Sequence, residues 1–122
     1  MKLLEGGGIH PAQEGGRLLF MKSGKQVEAI SLSRIICLER REHDTYITLQ
    51  NGEVLKTAEK LSLLQMRMGP SNFVRCHISC VINLRCVPSV ENRTALMKNG
   101  LQVSISIPHE QKVRDWEDDY HL

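Results

Sequence analysis

The chain has 122 residues, of which 41% are hydrophobic and 25% charged, the proportions of an ordinary globular domain; collagen-like, disordered and membrane-spanning classes are excluded on composition. No window approaches the roughly 20 apolar residues that cross a bilayer, and Met1–Leu4 runs straight into Glu5 and three glycines rather than a signal core, so one cytoplasmic domain is expected. The formal net charge is only +2, but Asp115, Glu117, Asp118 and Asp119 lie at the end of the chain, and residues 1–114 carry 16 basic against 10 acidic side chains. That surplus suits phosphate contacts, and equally suits a solvated surface.

Residues 1–16, with Gly6–Gly8, Pro11, Gly15 and Gly16 among few apolar residues, read as a flexible leader that cannot repay its ordering entropy. The domain is expected over 17–117, with an acidic tail at 118–122. Leu18–Met21 opens an apolar run, Ser23-Gly24 a turn, and Gln26–Ile30 alternates at the strand period, which predicts a hairpin. Ile35–Glu39 is a second apolar run, and the charged stretch Arg40–Asp44 reads as a polar loop before the alternating Thr45–Gln50. Asn51-Gly52 then predicts a tight hairpin with a type I′ turn into Glu53–Thr57.

Leu61, Leu64, Met66 and Met68, stopped by Gly69-Pro70, predict a short central helix whose apolar stripe packs into the core. Further short strands are read at Phe73–Cys76, Val81–Leu84, Cys86–Val90 and Thr94–Met97. Asn99-Gly100 leads into Leu101–Ile107, and Pro108 ends that strand and can open a helical turn. Four cysteines, Cys37, Cys76, Cys80 and Cys86, read as reduced core thiols in the absence of an export signal. A zinc site on Cys76, His77, Cys80 and Cys86 is the alternative, opposed by the strand period, which puts Cys76 and Cys80 on one face and His77 on the other.

The stretch Asn72–Leu84 (NFVRCHISCVINL), with Leu96–Gly100 and Val103–Ser106, resembles the LytTR DNA-binding domain of bacterial transcription regulators. In that family phenylalanine, arginine and histidine precede a serine and an apolar-apolar-Asn-Leu ending, and an Asn-Gly hairpin leads to a serine closing the last strand. Ile35–Glu39 also fits the family's apolar strand ending in glutamate. The resemblance implies a mostly β fold, an elongated arrangement of small antiparallel sheets with one short central helix and a C-terminal helical turn. It further implies that loops, rather than a recognition helix, enter the major groove of double-stranded DNA.

Three elements carry DNA contacts in the family. The first matches Arg40, Arg41, Glu42, His43, Asp44 and Thr45, where arginine suits phosphate or guanine and a carboxylate suits a cytosine amine. The second matches Arg75, His77 and Ile78, and here isoleucine stands where the family often has a basic or amide residue. The third follows the last strand, where Ser106 is followed by Ile107, Pro108, His109 and Lys112 instead of the usual arginine. Losing those cations weakens affinity and flattens its salt dependence.

The resulting expectation is a stand-alone transcription regulator that reads promoter repeats, two copies side by side, under a membrane-protein or kinase partner. The alternative is a LytTR-like protein-interaction module without strong DNA binding, helped by Trp116 and Tyr120 in the acidic tail. No phosphate loop, nucleophile elbow or metal-binding helix motif supports an enzyme, so no cofactor or small-molecule substrate is expected. As a polar loop, Arg40 and Arg41 should tolerate truncation to alanine without unfolding.

Overall fold

The apolar runs and turns form eleven strands and two helices in the computed structural model, which describes residues 2–3, 17–69 and 71–120, with side chains described over 17–69 and 71–115. The first sheet joins β1 (Lys2–Leu3), β2 (Leu18–Ser23) and β3 (Gln26–Ser31) in the order β1-β3-β2. Ser23 pairs with Gln26 across a two-residue turn whose first position, Gly24, has φ 65°, a value glycine adopts without steric cost. Lys2–Leu3, inside the expected leader, pair in parallel with Glu28 and Ala29; residues 4–16 lie outside the described residues.

The central sheet is antiparallel and comprises β4 (Ile35–Arg41), β5 (Asp44–Leu49), β6 (Val54–Thr57), β7 (Phe73–His77) and β8 (Cys80–Asn83), ordered β6-β5-β4-β8-β7. Helix α1 (Leu61–Met68) links β6 to β7. The third sheet, β9 (Ser89–Glu91), β10 (Thr94–Leu96) and β11 (Gln102–Ser104), has the order β11-β10-β9 and is followed by helix α2 (Ile107–Tyr120).

The central sheet is covered on both faces. On one, Leu38, Ile47, Leu49 and Val81 meet β2–β3 and α1; on the other, Ile36, Cys37, Cys76 and Ile82 meet Ala95, Ile105 and Val113. A register shift between Ile35 and Cys37 lets Ile35 and Leu38 face the first core while Ile36 and Cys37 both face the second, the effect of a bulge. Each such fully buried aliphatic side chain contributes about 1.5–3 kcal/mol. Glu59 fastens the first sheet to α1, taking two hydrogen bonds from Arg67 at 2.5 and 2.8 Å and one from the Lys22 amide at 3.2 Å.

Several sequence expectations change. Arg40–Asp44 is not a loop: Arg40 pairs with Thr45 and Arg41 with Asp44, leaving only Glu42-His43 as the turn, because the strand alternation continues through the charges. Asn51-Gly52 does not form a type I′ turn. The amide of Gly52 donates to Leu49 O and that of Leu49 to Glu53 O, and only Gly52 is at positive φ, so the loop has three residues and a glycine bulge. Asn99-Gly100 repeats this geometry between Met97 and Leu101. Among the described residues, the turn with two positive φ values is Asn92-Arg93 (50° and 56°), between Glu91 and Thr94.

In α1, Leu61, Leu64 and Met68 are buried but Met66 is 74% exposed, so Met66 leaves the core stripe. The strand expected over Leu101–Ile107 is confined to Gln102–Ser104, and the C-terminal helical turn is a helix of 14 residues running into the expected tail. Residues 121–122 lie outside the described residues.

All four thiols are free and buried. Cys76 and Cys80 turn into the second core, with Cys76 Sγ 3.7 Å from the Cys80 carbonyl, while His77 stays partly exposed, so these side chains diverge. Burial pushes the Cys37 thiol up from 9.0 to about 12, and the Cys76 side chain together with burial pushes Cys80 up. These folded thiols keep protons that unfolded ones release, so their contribution is complete below pH 9.0 and is lost as pH rises toward about 12. Urea midpoints measured across that window should fall, and iodoacetamide should label the native protein slowly at neutral pH and rapidly once unfolded.

Asn83 is 2% exposed. Its amide donates to Ile35 O at 2.9 Å, and its oxygen accepts from the Arg85 amide at 3.0 Å and from Asn72 Nδ2. Asn83→Ala should lower unfolding free energy by about 2–3 kcal/mol, the cost of leaving such groups buried and unsatisfied, as read from urea denaturation.

Candidate nucleic-acid interface

The β4–β5 hairpin ends in Glu42 and His43, both exposed, with Glu42 at φ 55°. A glutamate in the left-handed region is a strained choice at a tip where glycine is comfortable. Behind the tip, Arg40 faces the framework: its Nη1 donates to Thr45 Oγ1 at 3.1 Å, Ala58 O at 3.4 Å and Glu59 O at 3.0 Å. Thr45 is fully buried and donates to Glu59 O at 2.8 Å. Thr45 is thus an interior residue, and Arg40 clamps the β6–α1 connection.

Arg41 points the other way. It donates from Nε and Nη2 to Glu39 Oε1 at 2.9 and 2.7 Å, and its guanidinium lies 5.0 Å from the centre of the Tyr46 ring. The Glu39 carboxylate raises the Arg41 pKa and keeps it charged. Glu39 is two residues back on the same strand face and Tyr46 lies directly across from Glu39, so ring and carboxylate set the plane of an exposed cation. Tyr46 was absent from the sequence-derived residues, although its place in the alternation of β5 put it on this face. Asp44 is partly exposed, opposite Arg41.

The β7–β8 hairpin ends in Ile78 and Ser79, since His77 pairs with Cys80. Arg75 again serves the framework, donating to Gln65 Oε1 at 3.2 Å and to Ile78 O at 2.6 Å. His77 Nδ1 accepts the Ser79 amide at 3.2 Å and lies 3.0 Å from its hydroxyl. Because Nδ1 accepts a backbone N–H, Nε2 is the ring nitrogen left to donate. Ile78 is 76% exposed.

Two backbone hydrogen bonds bring the three sequence-predicted elements together. The Arg40 amide donates to Ser79 O at 2.7 Å, joining the two hairpin tips, and the Ser106 amide donates to Cys76 O at 2.8 Å, joining the second tip to the start of α2. Ser106 Oγ lies 2.6 Å from His109 Nδ1, and Ile107, Pro108 and Lys112 are exposed. Pro108 sits in the first turn of α2, where no amide donor is needed, and that helix start favours anions such as phosphate. A cleft of about 500 Å³ with a mixed lining borders this end, formed by Glu39, Arg41, His77 and Ser79 together with Val54 and Leu101, among others.

A three-layered β module that gathers two hairpin tips and a helix start at one end of its central sheet is the class of protein these features define. The sequence matches the family model of the LytTr DNA-binding domain over residues 25–117, and the chain belongs to that family. Among solved structures, it is similar to the LytTr DNA-binding domain of a methyl-accepting/DNA response regulator from Bacillus cereus. The TM-score is 0.67 at 19% identity, over 80% of this chain and 94% of that one, a likeness of fold. A comparison with curated proteins finds no match. Among the described residues no helix is long and apolar enough to cross a membrane.

Arg40 and Arg41, neighbours in sequence, should behave differently on truncation. Arg40→Ala removes charge-assisted bonds to two backbone carbonyls and should cost about 1.5–3 kcal/mol, whereas Arg41→Ala breaks an exposed pair with Glu39 and an exposed ring contact with Tyr46 and should cost about 1 kcal/mol or less. Thermal or urea unfolding of the two single variants separates them.

Proposed function

We propose that this chain acts in the cytoplasm as a transcription regulator that binds duplex DNA sequence-specifically, two copies reading adjacent promoter repeats. The single observation that carries the reading is the pair of backbone bonds, Arg40 N–Ser79 O and Ser106 N–Cys76 O, which hold both hairpin tips and the α2 start at one end of a rigid sheet. A tip two residues wide fits the major groove, which also admits a two-stranded ribbon.

In this reading Arg41, oriented by Glu39 and Tyr46, takes a phosphate or a guanine edge. His43 donates from the first tip and His77 from Nε2 beside the second, while Asp44 accepts from a cytosine amine. His109, Lys112 and the α2 N-terminus bind the flanking backbone. Arg75 and Arg40 act through position: Arg75 holds the Ile78 carbonyl and Arg40 holds the base of the first tip.

Fluorescence-anisotropy titration against genomic promoter fragments at two salt concentrations tests the proposal. Preferred fragments and an affinity that falls with salt are expected; no preference together with no salt slope would reject it. Lys112→Ala should weaken binding about equally on all sequences and reduce the salt slope by about 1, whereas His43→Ala should relax the preference at particular bases.

A further inference from the structure

Ile78 is 76% exposed and Ile107 68% exposed, and neither position suits isoleucine on local grounds. Ile78 is the first residue of a two-residue hairpin turn, a place where Asn, Asp and Ser are favoured because their side chains bond the turn backbone. Ile107 opens α2 immediately before Pro108, where the proline ring disfavours helical backbone and a β-branched side chain is stiff. A local rule broken twice at one end of the molecule, with no burial in return, marks those side chains as serving something outside the fold.

The surroundings point to what that is. Ile78 follows Arg75 and His77 and precedes Ser79; Ile107 is followed by Pro108, His109 and Lys112, and the Ser106–Cys76 bond places the two isoleucines in the same part of the molecule. A protein interface core is a contiguous apolar patch depleted of charge. Of the other exposed apolar side chains, Phe20, Leu63 and Met66 belong to β2 and α1, while Val54 and Leu101 line the cleft beside His77 and Ser79 among polar and charged side chains. Two branched aliphatic tips set among hydrogen-bond donors and the Lys112 ammonium instead complement a surface that is anionic in general and apolar at points. The major groove of DNA is such a surface, its phosphates flanking the C5 methyl groups of thymine.

We infer that Ile78 and Ile107 are specificity-determining residues that read thymine methyl groups in the major groove, giving this domain a preference for T at the bases beneath both tips. The inference rests on the DNA-binding reading above. Recognition is by apolar contact alone, so replacing thymine with uracil removes the recognised group and leaves every base-pairing edge intact.

The probe is the best-binding duplex selected by the wild-type chain from a randomised synthetic pool, made once with thymidine and once with deoxyuridine. Wild type should bind the deoxyuridine duplex more weakly, by about fourfold for each methyl lost, the factor set by burying one methylene-sized group. Ile78→Ala and Ile107→Ala, both at exposed positions and checked by circular dichroism, should each lose part of that discrimination, and the double variant nearly all of it. Equal wild-type binding of the two duplexes would overturn this inference and leave DNA recognition standing, as would a thymidine preference unchanged in the double variant. Failure to select any sequence, with no salt slope, would remove the DNA-binding reading and this inference with it. Sedimentation velocity supplies one further arm. A wild-type dimer dissolved by the double substitution would make the isoleucines a contact between protein copies and overturn the assignment.

Discussion

Burial of β4 on both faces is the constraint from which the rest of the architecture follows. Ile35, Ile36, Cys37 and Leu38 are exposed by 0, 1, 3 and 0%, so a single antiparallel sheet with one wet side cannot accommodate them. One side is closed by β2–β3 and α1 and the other by β9–β11 and α2. The bulge after Ile35 sorts four consecutive apolar residues between two cores, and Asn83 ties β8 back to the Ile35 carbonyl beside it. A slip of one residue would exchange the two cores' side chains, so the register is strongly held. Both hairpins that end at the candidate interface, β4–β5 and β7–β8, grow out of this doubly covered sheet.

Rigidity at that end consumes cations. Arg40 and Arg75 spend their guanidinium groups on backbone carbonyls and on Gln65. Arg41 remains exposed but shares its charge with Glu39. Among the described residues at that end, Arg41, the imidazoles of His43, His77 and His109, Lys112 and the start of α2 remain at least partly exposed. In the proposed DNA-binding reading such a surface relies on placement more than on charge density, and apolar contacts at Ile78 and Ile107 would take a larger share in discrimination than on a strongly basic face.

Hairpin positions were legible because alternation and turn residues are local signals: Gly24, Gly52 and Gly100 each sit at positive φ where a turn was read. Turn type was not legible. Whether Asn-Gly makes a two- or three-residue loop depends on which pair of strand residues closes it, and among the described residues the turn with two positive φ values fell on Asn92-Arg93, which lacks glycine. The charged run 40–44 reads as a loop for a related reason, since the strand alternation it continues shows only in what packs against it: Thr45 and Ile47 are buried against other elements while Asp44 and Tyr46 are not.

The sequence by itself determined the class and family of the domain, its hairpins, the short helix α1 and the three segments that bear the candidate contacts. These depend on neighbours within a few residues, or on a pattern that spans most of the chain. Only the tertiary structure decided that the segments share one end of one sheet, that Arg40 and Thr45 face inward while Arg41 faces out, and that Met66, Ile78 and Ile107 are exposed. Those outcomes are set by partners distant in sequence, Glu59 for Arg40 and Thr45, Ser79 for the Arg40 amide and Cys76 for the Ser106 amide, and a side chain's destination follows from what packs against it.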